Sequence, residues 1–153
     1  MPLAVDSVKR LKNSGFIVVV VTNQPDIGNE LVSRAVVDSM NDRLQSRTAV
    51  DDIEICPHRQ DEACSCRKPK PGMLIKASQR HDIDLKRSFI VGDRASDIAA
   101  GEAVGCRTVF IDRRYNEPPP RAPGAIVRSL PAAVDFILQQ TTKPPKHDQD
   151  TGH

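Results

Sequence analysis

Aromatic residues are scarce in this chain of 153 residues, which contains no tryptophan, one tyrosine and four phenylalanines. Proteins that bind single-stranded nucleic acid stack bases on aromatic side chains, and this sequence offers little such surface. The formal net charge is only +2, which is too weakly basic to indicate nucleic acid or an anionic membrane as a partner. Both shortages argue against a nucleic-acid-binding zinc module, although Arg67, Lys68 and Lys70 lie close together in the sequence.

The sequence also lacks long apolar runs. No stretch approaches the ~20 residues that cross a membrane, and no charged-then-apolar segment opens the chain as a signal peptide would. The sequence therefore predicts a cytoplasmic, monomeric protein without a membrane partner. Its composition, 39% apolar and 27% charged, is that of a globular domain, which we place at residues 1–140. The polar, proline-rich residues 141–153 are expected to form a disordered tail.

Cysteine occurs at four positions, and cytoplasmic thiols stay reduced and bind metals in preference to forming disulfides. Three thiols and one imidazole fall within a short polar segment: Cys56, His58, Cys64 and Cys66. This set supplies a closed tetrahedral zinc site without a position for a catalytic water, so the predicted zinc is structural. Free thiols beside a surface histidine, or a strained disulfide between Cys64 and Cys66, are the alternatives. Cys106 stands between apolar neighbours and is predicted to be a small buried core residue.

Short apolar runs alternate with helical patterns, which predicts an α/β fold with a mainly parallel sheet. The continuous β-branched run at residues 16–21 indicates a strand buried on both faces. Further strands are predicted around Ile53 and Ile55, where the zinc loop begins, and at residues 88–91, 108–111 and 126–127. The predicted helices cover residues 5–11, 33–44, 73–81, 96–104 and 130–138.

Polar side chains follow the predicted strands or the zinc ligands: Thr22 and Asn23, Arg67 and Lys68, and Asp93 and Asp97. Open α/β sheets bind ligands at the carboxyl ends of their strands. Cations and hydrogen-bond donors suit phosphate oxygens, and carboxylates at a strand end suit magnesium. Taken singly, Thr22 with Asn23 could be a plain turn, and Asp97 could complement the positive end of its helix. Together these residues favour phosphoryl transfer.

Four stretches of the sequence resemble a known family: residues 18–24 (Val-Val-Val-Val-Thr-Asn-Gln), 56–58 (Cys-Pro-His), 64–72 (Cys-Ser-Cys-Arg-Lys-Pro-Lys-Pro-Gly) and 91–98 (Val-Gly-Asp-Arg-Ala-Ser-Asp-Ile). The chain is similar over roughly residues 1–140 to the haloacid dehalogenase (HAD) superfamily of phosphatases. Within it, the chain resembles the zinc-containing group of heptose bisphosphate phosphatases and histidinol phosphatases. The resemblance implies a Rossmann-like fold with helices on both faces, and a magnesium-dependent phosphoric monoester hydrolase.

The resemblance also implies a role for each matching residue. Thr22 and Lys68 would be catalytic, with Thr22 holding the transferred phosphate and Lys68 stabilising its charge. The substrate-binding set would be Thr22, Asn23, Gln24, Arg67, Lys68 and Arg94. The zinc ligands would be Cys56, His58, Cys64 and Cys66, while Asp93 would bind magnesium and Asp97 would support that loop.

One family feature has no match in the sequence. Members begin with an apolar strand ending in Asp-x-Asp-Gly-Thr, whose first aspartate is the nucleophile and whose second is the general acid/base. The Asp-x-Asp sequences at residues 82–84 and 148–150 follow no apolar strand and are not expected to replace it. We therefore expect an N-terminally truncated phosphatase with impaired activity. The missing strand would lie between the strands predicted at residues 16–21 and 88–91, and its loss would expose backbone groups on both.

The substrate favoured by the resemblance is D-glycero-D-manno-heptose 1,7-bisphosphate, acted on at the 7-phosphate. Residues 105–112 and 127–130 look more like the heptose-type members, whereas Pro25 replaces a residue that is commonly serine in them. Histidinol phosphate is the alternative within the family. From another class, the alternative is an inactive zinc-stabilised domain that binds a phosphorylated ligand or a partner protein.

Overall fold

The structure is a computed structural model that describes residues 2–23, 39, 42–43, 45–56 and 64–142. In chain order these residues form α1 (Pro2–Asn13), β1 (Val19–Asn23), β2 (Asp52–Cys56), α2 (Gly72–His81), a short 3-10 turn (Leu85–Arg87), β3 (Phe89–Gly92), α3 (Ala95–Ala103), β4 (Arg107–Ile111), β5 (Ala125–Val127) and α4 (Leu130–Thr142). Residues 45–48 are also helical. Gln24, His58, most of the helix predicted at residues 33–44 and residues 143–153 lie outside the described residues.

The strands pair in parallel, as the sequence predicts. β1 pairs with β2 from Val19 opposite Asp52 to Asn23 opposite Cys56. β4 lies between β3 and β5 in a second sheet. Among the described strands, β1 and β3 share no ladder. The rings of Phe16 and Phe89, 6.4 Å apart edge to face, bring the two sheets together where these strands begin.

Helices cover both faces of the second sheet. Val109 of β4 is fully buried and packs with Ala133 and Ile137 of α4. The preceding residue of β4, Thr108, lies near Gly101 of α3. Because successive strand side chains point to opposite faces, α3 and α4 must lie on opposite sides of β4. The arrangement of helices on both faces, which the family resemblance implies, is therefore confirmed for this sheet.

The strand predicted at residues 16–21 is shifted and less buried than expected. β1 begins only at Val19, each of its residues is partly buried, and Ile17 is 49% exposed. A β-branched run becomes fully buried when other elements cover both of its faces and other strands pair with both of its edges. Among the described strands, β1 pairs with β2 alone. The prediction of a strand buried on both faces is therefore wrong for β1.

Two expectations toward the end of the chain also need correction. Helix α4 runs to Thr142, beyond the predicted end at Leu138 and past residue 140, where we placed the domain boundary. Cys106 is only partly buried and lines a cavity of about 480 Å³ together with Glu102 and Arg107. It follows Gly105, whose φ of +79° lies in the turn between α3 and β4, and this position at the edge of the core leaves Cys106 partly exposed. None of the described helices has the length and apolarity of a membrane span.

Candidate functional site

Lys68 joins the carboxyl end of β1 to the beginning of α3. Its backbone N–H donates to Asn23 Oδ1 at 3.3 Å, and its ammonium donates to the Val21 carbonyl at 3.4 Å. The same ammonium forms an ion pair with Asp97 Oδ1 at 2.5 Å. The side chains of Lys68 and Asp97 are only 14% and 11% exposed, so their charges interact with little screening. Three segments that are distant in sequence therefore meet at one cation.

Asp97 is held on both of its carboxylate oxygens. While Oδ1 pairs with Lys68, Oδ2 accepts a hydrogen bond from the Arg94 backbone N–H at 3.2 Å, in a capping box at the start of α3. Gly92 makes this close approach possible, because a Cβ at that position would lie 2.3 Å from Asp97 Cβ. Asp97 is thus placed to support the loop after β3 and to orient Lys68.

The end of β1 and the neighbouring Arg67 complete this side of the site. Thr22 is the second-last residue of β1 and is partly buried, and its hydroxyl donates to the Asn23 carbonyl at 3.4 Å. Arg67 Nη1 is buried and has no hydrogen-bond partner among the described residues. A buried guanidinium N–H without an acceptor is costly, and an anion bound at this point would supply one.

Asp93 follows β3 and carries the carboxylate that the resemblance assigns to magnesium. It is 34% exposed, and its Oδ2 accepts from the Tyr115 hydroxyl at 3.1 Å and from Arg113 Nε at 3.2 Å. The carboxylate lines a cavity of about 310 Å³, large enough to hold a hydrated cation. A strand-end carboxylate with such access fits magnesium, which takes one or two protein carboxylates and fills its remaining positions with water and phosphate.

Sequence reasoning missed the loop that follows β4. Arg94 pairs with Glu117 Oε2 at 2.8 Å and lies over the ring of Tyr115, with its Cζ 4.8 Å from the ring centroid. Tyr115 therefore contacts both Asp93 and Arg94, two residues that were predicted to belong to the site. The signal in the sequence was the pair Arg113-Arg114, two residues after a predicted strand end, near the position at which α/β sheets bind ligands.

The thiol cluster lies beside this site, because Cys56 is paired in register with Asn23. The Sγ atoms of Cys56 and Cys64 are 3.7 Å apart, and those of Cys56 and Cys66 are 2.9 Å apart. A tetrahedral zinc with Zn–S bonds of about 2.3 Å keeps its sulfurs about 3.8 Å apart. The first distance meets this value, and the second requires a small outward movement of Cys66. The three thiols therefore fit a zinc ion, and the role of His58 as fourth ligand stays a prediction.

Protonation differs among these thiols. Burial raises the pKa of Cys64, but hydrogen bonds from the Arg67 backbone N–H and from the thiols of Cys56 and Cys66 outweigh it and lower the pKa to about 7. Burial raises the pKa of Cys66 to about 12, with further contributions from its contacts with Cys56 and Cys64. One thiol of the cluster is thus readily ionised near neutral pH, the form in which it binds a metal.

The Asp-x-Asp sequence at residues 82–84 has a local structural role. Asp82 ends α2 in the left-handed conformation, with φ at +53°. The Asp84 carboxylate accepts from the Lys86 backbone N–H at 3.1 Å and so begins the 3-10 turn. Both residues precede β3, whereas Asp93 follows it. They lie at the end of the strand opposite to Asp93, in agreement with the expectation that they do not act as the nucleophile pair.

Comparison with known families gives a match over residues 65–133 to a family described as HAD-hydrolase-like. The D-glycero-beta-D-manno-heptose-1,7-bisphosphate 7-phosphatase of Pseudomonas aeruginosa is 34% identical over 150 residues, which cover 92% of this chain and 83% of the relative. The protein of the same name from Pseudomonas putida is 38% identical, over 72% of this chain and 66% of that relative.

Solved structures give the same result for the fold. The D,D-heptose 1,7-bisphosphate phosphatase of B. bronchiseptica, crystallised with magnesium and phosphate, superimposes with a TM-score of 0.81 at 29% identity. That superposition covers 92% of this chain and 84% of the other. A HAD-like phosphatase from Mesorhizobium loti gives a TM-score of 0.71 at 27% identity, over 90% of this chain and 74% of that one.

Proposed function

This chain belongs to the HAD-like family of hydrolases. We propose that it carries the active site of a phosphatase whose substrate is D-glycero-D-manno-heptose 1,7-bisphosphate, and that this site acts on the 7-phosphate. We also propose that it works as a cytoplasmic monomer on a free small molecule, without nucleic acid or membrane. The sequence supports this second part through its weak net charge and its lack of a membrane-spanning run.

The observation that carries the proposal is the placement of Lys68. A phosphoryl group in transfer spreads negative charge over its oxygens, and catalysis depends on fixed positive groups around it. Asp97 and the Val21 carbonyl fix the Lys68 ammonium in a position beside the ends of β1 and β3. Its ion pair with Asp97 keeps the ammonium aligned before the substrate arrives, so little reorganisation is needed.

The remaining residues are assigned around that cation. Thr22, Asn23 and Gln24 are assigned to the transferred phosphate, and the buried Nη1 of Arg67 is assigned to an anionic oxygen of the substrate. Arg94 is assigned to the side of the substrate that faces the loop after β4, where its guanidinium pairs with Glu117. Magnesium held by Asp93 would neutralise charge on the phosphoryl oxygens. Zinc held by Cys56, Cys64, Cys66 and His58 would fix the segment that carries Arg67 and Lys68.

The attacking carboxylate is the part that these residues do not supply. Lys68 and Arg94 engage Asp97 on both oxygens, and Asp82 and Asp84 cap local turns. We therefore expect the 153-residue chain to bind substrate but to hydrolyse it very slowly. The same chain joined to a strand ending in Asp-x-Asp-Gly-Thr should hydrolyse it efficiently, since a missing nucleophile typically costs several orders of magnitude in rate.

Phosphate release from heptose 1,7-bisphosphate in the presence of magnesium, followed by phosphorus NMR, tests this proposal. The extended chain should release the 7-phosphate only when magnesium is present, and Lys68→Met should abolish the release. The short chain should be no faster than its own Lys68→Met variant. Robust release by the short chain that is lost in Asp84→Asn would contradict the assignment. Binding without release by the extended chain would favour the inactive ligand-binding domain instead.

A further inference from the structure

We propose that Arg113 and Tyr115 form a second anion subsite, which binds the acidic group of the substrate that is not transferred. This inference rests on the proposed function, because it concerns the same substrate and the same site. It adds that a cation must bind at Asp93 before the subsite is available. The substrate class is accordingly a sugar with two separate anionic groups, of which one occupies the Lys68 side and the other occupies the Arg113 side.

The first observation is that two donors share one carboxylate oxygen. Arg113 Nε and the Tyr115 hydroxyl both contact Asp93 Oδ2, at 3.2 Å and 3.1 Å. A magnesium ion bound to either oxygen of Asp93, at about 2.1 Å, neutralises the negative charge that attracts these two donors. When the cation takes Asp93, Arg113 loses its counter-charge while still lining the cavity. An anion of the substrate would then replace the carboxylate as its partner.

The second observation is that the loop is held in place by contacts other than those to Asp93. Arg114 has a φ of +58°, a conformation that residues other than glycine seldom adopt, and its backbone N–H donates to Asp112 Oδ1 at 2.9 Å. The Tyr115 ring lies under the Arg94 guanidinium, which in turn pairs with Glu117. The loop therefore remains beside the site when Asp93 changes partner, and only the Arg113 side chain and the Tyr115 hydroxyl need to change their contacts.

The third observation is the charge of the cavity. Its lining includes two cationic side chains and three carboxylates, Arg113 and Arg114 against Asp93, Asp112 and Glu117, for a sum of −1. A divalent cation at Asp93 changes this sum to +1. The cavity should therefore repel an anion before the cation binds and attract one afterwards. Its volume of about 310 Å³ is at the lower end of the range of about 300–1,000 Å³ for small-molecule sites.

Tyr115 allows a direct test, because it is the only tyrosine of a chain without tryptophan. A phenol that donates to a carboxylate is quenched, so we expect magnesium to raise the tyrosine emission along a saturating curve. The magnesium-dependent rise should be absent in Asp93→Asn. Calorimetry on the same samples gives the magnesium affinity. Unchanged emission at saturating magnesium, or no magnesium binding at all, would overturn the proposal.

Ligand affinities test the subsite itself. In magnesium, Arg113→Gln should weaken binding of heptose 1,7-bisphosphate by about tenfold or more, since one charge-assisted contact is lost, and should leave binding of inorganic phosphate unchanged. Arg121→Gln, an exposed arginine of the same loop, serves as the matched control and should change neither affinity.

The outcomes separate this inference from the proposed function. If Arg113→Gln weakened the binding of both ligands equally, or the binding of neither, the subsite would be overturned. Binding of inorganic phosphate by the wild-type chain would still support the site at Lys68. Failure of the wild-type chain to bind inorganic phosphate in magnesium would overturn the proposed site and the subsite together.

Discussion

At the scale of the residue, Lys68 forms a nearly buried ion pair with Asp97 and supplies the central charge of the proposed phosphate site. Replacing it with methionine keeps the chain length of the side chain but leaves Asp97 nearly buried without its cation. Breaking a buried ion pair costs about 3–5 kcal/mol, and the residual exposure of 14% and 11% lowers our expectation to about 2 kcal/mol. Urea unfolding of Lys68→Met should show this loss.

Lys76→Met is the matched control, because Lys76 is an exposed lysine on α2. Its unfolding free energy should change by less than about 0.5 kcal/mol, as for most surface substitutions. Equal stability of the two variants would mean that the Lys68–Asp97 pair does not form in solution.

The sequence predicted the residues on one side of the proposed site and gave no prediction for those on the other side. Lys68 and Asp97 were found because a motif and a strand end point to them. Arg113 and Tyr115 belong to a loop whose sequence carries no motif, and their role depends on where β4 places that loop relative to Asp93. The ion pair between Lys68 and Asp97 was likewise not predictable, because 29 residues separate the two positions.

At the scale of the element, the zinc loop is tied to α2 through backbone contacts. The Gly72 N–H donates to the Ser65 carbonyl at 2.9 Å, and a Cβ at Gly72 would lie 2.2 Å from that same oxygen. The side-chain ammonium of Lys70 also donates to the Cys64 backbone carbonyl at 2.8 Å. These contacts place Cys64 and Cys66 against the start of α2, so loss of the metal should loosen the segment that carries Arg67 and Lys68.

We predict that Cys64→Ser abolishes tight zinc binding, since it removes one of the three clustered thiols that would hold the metal. Zinc content after purification without added metal should fall from about one per chain to near zero, and the melting temperature should fall with it. Cys106→Ser should retain full zinc, because Cys106 lies outside the thiol cluster. A Cys64→Ser protein with full zinc content would show that the ligand set is wrong.

A second element-scale feature is the clamp between β2 and α2. Asp52 Oδ2 contacts His81 Nε2 at 2.8 Å and Arg80 Nη1 at 3.1 Å. Burial raises the pKa of Asp52, but hydrogen bonds from His81, Arg80 and the Ile53 backbone N–H outweigh it and lower the pKa below its usual 3.8. The clamp therefore contributes its full stabilisation to the folded state above about pH 4. This stabilisation is lost as the pH falls through the lower, folded-state pKa of Asp52.

We predict that Asp52→Asn lowers the unfolding free energy by about 1 kcal/mol at pH 6. The deficit should shrink as the pH falls below 3.8, where the unfolded wild-type carboxyl is protonated. Urea unfolding at a series of pH values measures it. Asp6→Asn, at an exposed position of α1, is the control and should change stability by less than about 0.5 kcal/mol. A deficit that grows toward acid would contradict the sign of the shift.

Element types were predicted better than element limits. Apolar periodicity and the left-handed Gly15 located α1 and its end, because those signals are local. The start of β1 was misplaced, since residues 16–18 are as apolar as residues 19–21 and only pairing with β2 decides which of them form the ladder. The end of α4 was placed too early, because the polar residues after Leu138 carry no stop signal before Pro144.

At the scale of the whole molecule, the site is assembled across two sheets. The first sheet contributes Thr22 and Asn23, and the second contributes Asp93, while Lys68 connects them through Asn23 and Asp97. Because β1 and β3 share no ladder among the described strands, the positions of these groups depend on side-chain contacts such as Phe16 with Phe89. We expect a bound phosphorylated ligand to stabilise the molecule, since it would contact residues of both sheets.

Calorimetric titration of the 153-residue chain with heptose 1,7-bisphosphate, with and without magnesium, tests the proposed phosphate site most directly and does not depend on turnover. We predict binding that requires magnesium and that weakens by at least about tenfold in both Lys68→Met and Asp93→Asn, because each removes a charge that the phosphate contacts directly or through the cation. Lys76→Met should bind as the wild-type chain does. Equal affinity with and without magnesium, or affinity unchanged in both site variants, would contradict the assignment of this strand-end cluster as the phosphate site.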